Sequence, residues 1–337
     1  KKKSLIHKFS MSVRGNFLIP DPRCFWINPS VRYLKKYLKE NPVDAIITTG
    51  PPHSMHMIGL KLHKQVHIPW LADFRDPWTN IDFYRELNLS WVADKIHHHQ
   101  EKKVLSNADK VVSVTPTWCR ELAEIAGRTV DLVHNGYDEE DVIPTNKSVD
   151  AEFSISHIGS INSDRNPKIL WVALSLLLEE NEEFRRSLRI KLVGNVEPVV
   201  FADLEKYQLT GFVEKVGYLS HQEAVEFQQT SQILLLLINN TPNANGILTG
   251  KLYEYIASRR PVLCIGPPES DIANLLKETK SGSIVDFEDV DAMKKVILEL
   301  FEKYKNNRLQ STAENYEQYS RKAQCGIMAQ LLDNITN

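Results

Sequence analysis

Short apolar runs alternate along this chain with longer stretches in which apolar residues recur every three or four positions. VDAIITT (43–49), IPWLADF (68–74), KVVSVT (110–115) and VDLVHN (130–135) read as strands, with amphipathic helical segments at 53–66, 89–107 and 116–126 between them. A polar stretch, DEEDVIPTNKSVDAE (138–152), interrupts the pattern. It then resumes as FSISHIG, RIKLVG, VEKVGY, ILLLLI, PVLCIG and GSIVDF, again with helical segments between, and from about Glu314 the chain reads as helix with no strand after it. Strand–helix alternation requires crossover connections and parallel sheets. The pattern therefore predicts an α/β protein of two doubly wound, Rossmann-like parallel-sheet domains facing a central cleft. We assign residues 1–145 to the first, 146–315 to the second, and expect helix 316–337 to pack back onto the first.

Composition sets limits on this picture without changing it. The 337 residues are 42% hydrophobic and 25% charged, enough for two ordinary cores. The longest apolar run, ILLLLI, is of strand length, far below the roughly 18 residues of a membrane span, so an integral membrane protein is not expected. Cys24, Cys119, Cys264 and Cys325 lie far apart without C-x-x-C spacing, which suits a reducing cytoplasm and argues against a zinc cage. The chain opens KKKSL, without methionine or a signal peptide's apolar region. Residues 1–40 carry ten Lys and Arg against Asp21 and Glu40, a net of +8, interleaved with Phe17, Phe25, Trp26 and Tyr33. Either a solvated face or contact with an anionic surface accounts for that excess. No nucleic-acid module accompanies it, and nucleic acid is not an expected partner.

In open parallel sheets ligands bind beyond the carboxyl ends of the strands, where loops meet helix N-termini. The chemistry-bearing residues fall there. After IITT comes GPPHS with His53, and after WLADF comes RDPW, grouping Asp73, Arg75, Asp76 and Trp78. In the second half, Gly159 leads into SINSDRNP with Arg165, Gly194 leads into NVEP, and ILLLLI leads into NNTPNANGILTGK. A helix starting near Gly250 would present the amides around Thr249 and the Lys251 charge to a diphosphate. Glu254, three residues on, shares a helix face with Lys251. It either accepts hydrogen bonds from the vicinal hydroxyls of a ribose or pairs with Lys251. Asp73 and Arg75 likewise leave two readings open, substrate contact or a buried pair that fixes the loop.

LYEYIASRRPVL, GSINSDRNP some ninety residues earlier and VHNGYD at the junction together resemble the nucleotide-sugar-dependent retaining glycosyltransferases of the GT-B fold (family 4, group 1). The segment from NPVDAIITTGPPHSMH through IPWLADFRDPW is similar to a bacterial branch concerned with surface polysaccharides. The resemblance implies sugar transfer with retention from a nucleotide-diphosphate sugar to a glycan or lipid-linked acceptor, in the cytoplasm, at the inner face of the plasma membrane. It assigns donor binding to Gly159, Arg165, Gly194, Thr249, Gly250, Lys251 and Glu254, catalysis to Asp73, Asp76 and His53, and acceptor binding to Arg75 and Trp78. Two departures stand out: Gly246 occupies the position of a second family Glu, and no opening strand with its Gly-rich loop precedes residue 43, as though the first domain were truncated.

Neither a metal nor any other cofactor is expected. His97, His98 and His99 are consecutive on a helix and point apart, so they do not converge on one ion. DVD at 289–291 reads as a helix N-cap, and neither a P-loop nor G-x-G-x-x-G is present. An epimerase of the same fold and a non-catalytic nucleotide- or glycan-binding protein are the alternatives.

Overall fold

The computed structural model describes residues 5–142, 145–310 and 313–337, with side chains from residue 10 onward. It divides into one unit of residues 1–134 with 324–337 and a second of 135–323.

The first unit carries a four-stranded parallel sheet, β1 (Ile46–Gly50), β2 (Trp70–Phe74), β3 (Lys110–Ser113) and β4 (Asp131–Leu132), in the order β1-β2-β3-β4. Each predicted strand is present, and β4 is short, with Asp131 and Leu132 in register with Val112 and Ser113 and the Val133 amide donating to Ser113 O. Among the described residues, two helices rather than a strand precede β1: α1 (Leu5–Phe17) and α2 (Ile27–Glu40). Then follow α3 (Ser54–Val66), α4 (Trp91–Asn107) and α5 (Pro116–Ala126), the last opened by Thr115 accepting from the Trp118 amide and closed by Gly127 at φ 67°. Trp70, Phe74, Val104, Leu105 and Val111 are fully buried in its core.

The second unit holds six parallel strands: β5 (Phe153–Ile158), β6 (Leu188–Val193), β7 (Val213–Gly217), β8 (Ile233–Leu237), β9 (Val262–Ile265) and β10 (Gly282–Val285). Their order, β10-β9-β8-β5-β6-β7, reverses direction between β5 and β8, the switch point at which doubly wound sheets bind ligands. In the first sheet the order runs one way throughout. The helices are α6 (Lys168–Glu180), α7 (Glu182–Ser187), α8 (Pro198–Lys206), α9 (His221–Thr230), α10 (Gly250–Ala257), α11 (Asp271–Glu278) and α12 (Val290–Lys305). Asp289 of the DVD triplet accepts from the Ala292 amide and caps α12.

The second unit begins at residue 135, inside VHNGYD (133–138) and eleven residues before the 145/146 boundary read from the sequence. Tyr137 pairs with Ser320, its amide donating to Tyr319 O and its carbonyl accepting from Arg321, so residues from 135 onward are held in the second unit. The terminal helix α13 (Arg321–Thr336) starts there, and from Gln324 it belongs to the first unit. Gln324 Oε1 accepts from the His134 amide at 2.7 Å, and Leu331 packs with Leu71, Val112 and Val133.

Candidate functional site

At the switch point β5 ends in Gly159, whose φ of 131° disfavours any side chain. A Cβ there would run into Lys251 Nζ, so the glycine is what admits the lysine over the strand end. Gly194, at the end of β6 with φ 102°, lies against it: its Cβ would stand 2.9 Å from the Gly159 carbonyl oxygen. Gly159 and Gly194 thus form a floor without side chains across two neighbouring strand ends, with Lys251 above one of them.

Lys251 is the second residue of α10; in its first turn the Leu252 amide donates to the Thr249 carbonyl at 3.1 Å, which leaves the Gly250 and Lys251 amides for a ligand. Thr249 makes no side-chain cap, and its Oγ1 is buried without a hydrogen-bond partner among the described residues. Burial, and after it the nearby Arg165 charge, lowers the Lys251 pKa. Arg165, on the loop after β5, donates through Nε to Asn239 Oδ1. Neither cation makes an ion pair among the described residues. Two like charges beside a helix N-terminus repel each other when the site is empty, and an anion between them relieves that repulsion.

His157 lies beneath. Its Nδ1 donates to the Leu235 carbonyl at 3.0 Å, and burial, then the Lys251 charge, lowers its pKa to about 4. The ring is therefore neutral near pH 7. Glu254 does not pair with Lys251; it accepts from Gln228 Nε2 of α9 at 3.3 Å and borders a small recess with Tyr137, Val225 and Ser258. The sequence-derived donor set is thus brought together at the carboxyl ends of β5, β6 and β8 and the start of α10, with Glu254 one turn further on. Asn239 and His157, which sequence reasoning had passed over, join the set.

In the first unit Asp73, at the end of β2, is buried, and its Oδ2 accepts from Thr49 Oγ1 at 3.0 Å and from Arg75 Nε at 2.8 Å. This is the loop-fixing pair that sequence left as one of two readings. Asp76 is half-buried, and burial, then the Asp82 charge, pushes its pKa up to about 6.

His53 stacks on Trp78 with ring centroids 4.7 Å apart and planes 6° from parallel. Burial, then neighbouring His97, lowers the His53 pKa to about 3, and its Nδ1 is buried without a partner among the described residues. Trp78 Nε1 donates to His97 Nδ1, and His97 Nε2 reaches the Gly15 carbonyl, both at 3.2 Å, so His97 is the neutral Nε2–H tautomer. Of the histidine triplet, His97 alone is buried, and no group of three metal-ligating side chains is found among the described residues. His53 and Trp78 line a cavity of about 490 Å³ with Phe83, Tyr84, Leu87 and Arg23. The N-terminus of α3 is not open to a ligand, since Asp21 Oδ2 accepts from the Ser54 amide at 2.7 Å.

Residues 9–141 match the family model Glycosyltransferase Family 4. A search of curated protein sequences finds no match. Among solved structures, sucrose-phosphate synthase from Thermosynechococcus elongatus aligns at 17% identity and TM-score 0.68 over 93% of this chain and 78% of that one. Anabaena HepE in complex with UDP aligns at 12% identity and TM-score 0.70 over 91% and 82%. HepE has also been captured with UDP-glucose. A glycosyltransferase from Rickettsia africae ESF-5 aligns at 14% identity and TM-score 0.69 over 92% and 82%. At these identities the likeness is one of fold. Residues 9–141 are thus similar to Glycosyltransferase Family 4, and the chain, with its two parallel sheets, has the fold of the GT-B glycosyltransferases.

Proposed function

We propose that this chain is a glycosyltransferase that moves a sugar from a nucleoside-diphosphate sugar to a hydroxyl of a glycan or lipid-linked acceptor, with retention of configuration, in the synthesis of a cell-surface polysaccharide. The observation that carries this reading is Lys251, set over a glycine floor at the start of α10 with the Arg165 charge nearby, neither cation making an ion pair among the described residues. The UDP and UDP-glucose complexes of HepE support a nucleotide-sugar donor.

In this reading Lys251, Arg165 and the first amides of α10 hold the diphosphate, and Glu254 accepts from the ribose hydroxyls. The bond between the anomeric carbon and the diphosphate oxygen breaks with charge accumulating on the leaving group, and fixed cations there stabilise the transition state more than the ground state. The acceptor oxygen bonds to the anomeric carbon on the face the diphosphate leaves, and its proton must pass to a base. Gly246 is buried and brings no carboxylate, so contacts to the donor sugar fall to backbone amides of the 246–250 loop. The first unit supplies the acceptor side. Asp73 is held by Thr49 and Arg75, which leaves Asp76, with a pKa raised to about 6, as the carboxylate of the two free to take a proton. His53, Trp78 and Arg75 orient the acceptor. No residue in this scheme calls for a metal, and the reaction is assigned to the cytoplasmic face of the plasma membrane.

A thermal-shift panel of UDP, GDP, ADP, CMP and dTDP on this chain and on Glu254→Ala tests the reading. One nucleotide raising the melting temperature of the parent but not of the variant is the expected result. Absence of a shift with all five would overturn it. A shift without release of nucleotide from any donor sugar would favour binding without transfer.

A further inference from the structure

Residues 17–45 present a surface that the fold does not use. In α2, Ile27, Val31, Leu34 and Leu38 pack against Ile58 and Leu62 of α3. On the helical period, Trp26, Tyr33 and Tyr37 make a second stripe on one flank of that seam, and Arg32, Lys36 and Lys39 a third beside it. The second stripe faces water: Trp26 is 62% exposed and Tyr33 68%, Tyr33 and Tyr37 stack at 6.2 Å, and Phe17 and Phe25 stand out beside them. Arg23, Arg32, Lys36 and Lys39 are exposed and make no ion pair among the described residues. Of the segment's three acids, Asp21 is spent on the Ser54 amide, and Glu40 and Asp44 lie beyond the last of these cations.

We propose that this aromatic and basic face of α2 and the preceding turn docks on the surface of an anionic phospholipid bilayer. Charge complementarity selects the occupant: uncompensated cations on one side attract anionic headgroups, and exposed Trp, Tyr and Phe beside them match the headgroup boundary, where amphipathic rings settle. The lysine and arginine stems extend their charges to the headgroups while the rings enter the interface. Membrane contact does not depend on the transferase reading. One consequence does rest on it: Pro22 and Arg23, next to this face, line the cavity that holds His53 and Trp78, so a lipid-linked acceptor would reach that cavity from the docked surface.

The test is flotation of the full chain with vesicles of phosphatidylcholine alone and of phosphatidylcholine with phosphatidylglycerol. Binding to the anionic vesicles only, weakened by added salt, is expected. Arg32→Glu with Lys36→Glu should reduce it at least tenfold, and Phe25→Ser with Trp26→Ser should reduce it comparably. All four positions are exposed, so the variants keep the parent's melting temperature and its nucleotide-induced shift. That control separates failure of docking from failure of the donor site. Equal binding to neutral vesicles, no flotation, undiminished binding by both variants, or tighter binding to an oligonucleotide than to anionic vesicles would each overturn the proposal.

Discussion

Replacing Lys251 by methionine separates what the residue does for the empty protein from what it does for the ligand. Burial and Arg165 both disfavour the charged amine, so the empty protein gains from its removal, although Lys251 is partly exposed and solvent screening keeps the gain below about 1 kcal/mol. Methionine keeps the length of the stem above Gly159. Hydrogen bonds to a charged group contribute about 1.5–3 kcal/mol, so losing one weakens nucleotide diphosphate binding roughly 30-fold. With ligand at about 100 times the parent's Kd, stabilisation is about 2.7 kcal/mol, or roughly 5–11 °C in the melting temperature of the second unit, residues 135–323. For the variant the same concentration is about three times Kd and yields about 0.8 kcal/mol, or roughly 2–3 °C. Differential scanning fluorimetry of both proteins, empty and loaded, reads all four numbers. A variant that melts several degrees lower when empty, yet shifts as far as the parent when loaded, would refute the argument, because Lys251 would then be a structural residue.

Two further outcomes follow from the same region. Gly194→Ala places a Cβ 2.9 Å from Gly159 O and 3.1 Å from Gly159 C at φ 102°, so it should cost about 2–4 kcal/mol in urea unfolding, whereas Gly217→Ala, at φ 80° with open space around it, should cost about 1 kcal/mol; equal losses would remove close packing as the reason. His157 titrates near pH 4 in the folded protein against 6.5 unfolded, so its contribution is complete above pH 6.5 and is lost as pH falls toward 4, by about 3 kcal/mol; His157→Gln should flatten that part of the stability profile, and an unchanged slope would assign it elsewhere.

Most strands were legible because they are compact apolar runs closed by Gly, Pro or Asn, and parallel burial demands such runs. Helix α2 was not read as a helix, although Ile27, Val31, Leu34 and Leu38 have helical spacing. The exposed Trp26, Tyr33 and Tyr37 blur that stripe into a pattern that is apolar on two sides. The boundary read from the sequence falls at 145/146 although VHNGYD (133–138) stands at the junction, because its exact place depends on Tyr137 meeting Ser320, a pairing of residues far apart in the chain that local composition does not encode.

The two candidate sites differ in how they are written into the chain, and that difference explains which was easier to read. At the candidate donor site the groups read from the sequence directly follow a strand or open the next helix: Gly159 after β5, Gly194 after β6, and Lys251 at the start of the helix that leads to β9. Strand prediction therefore located them. The first-unit cavity is assembled from Arg14–Gly15, Pro20–Arg23, Pro51–His53, Trp78–Leu87 and His97, segments that no periodicity links. His97 shows the consequence. Three consecutive histidines on a helix were discounted together as a metal site, yet helical geometry turns one of the three inward, where it accepts from Trp78 and donates to Gly15. Spacing alone excluded a shared ion; a single buried partner was a separate question, and it depended on residues 15 and 78, which only the folded chain brings to the same ring.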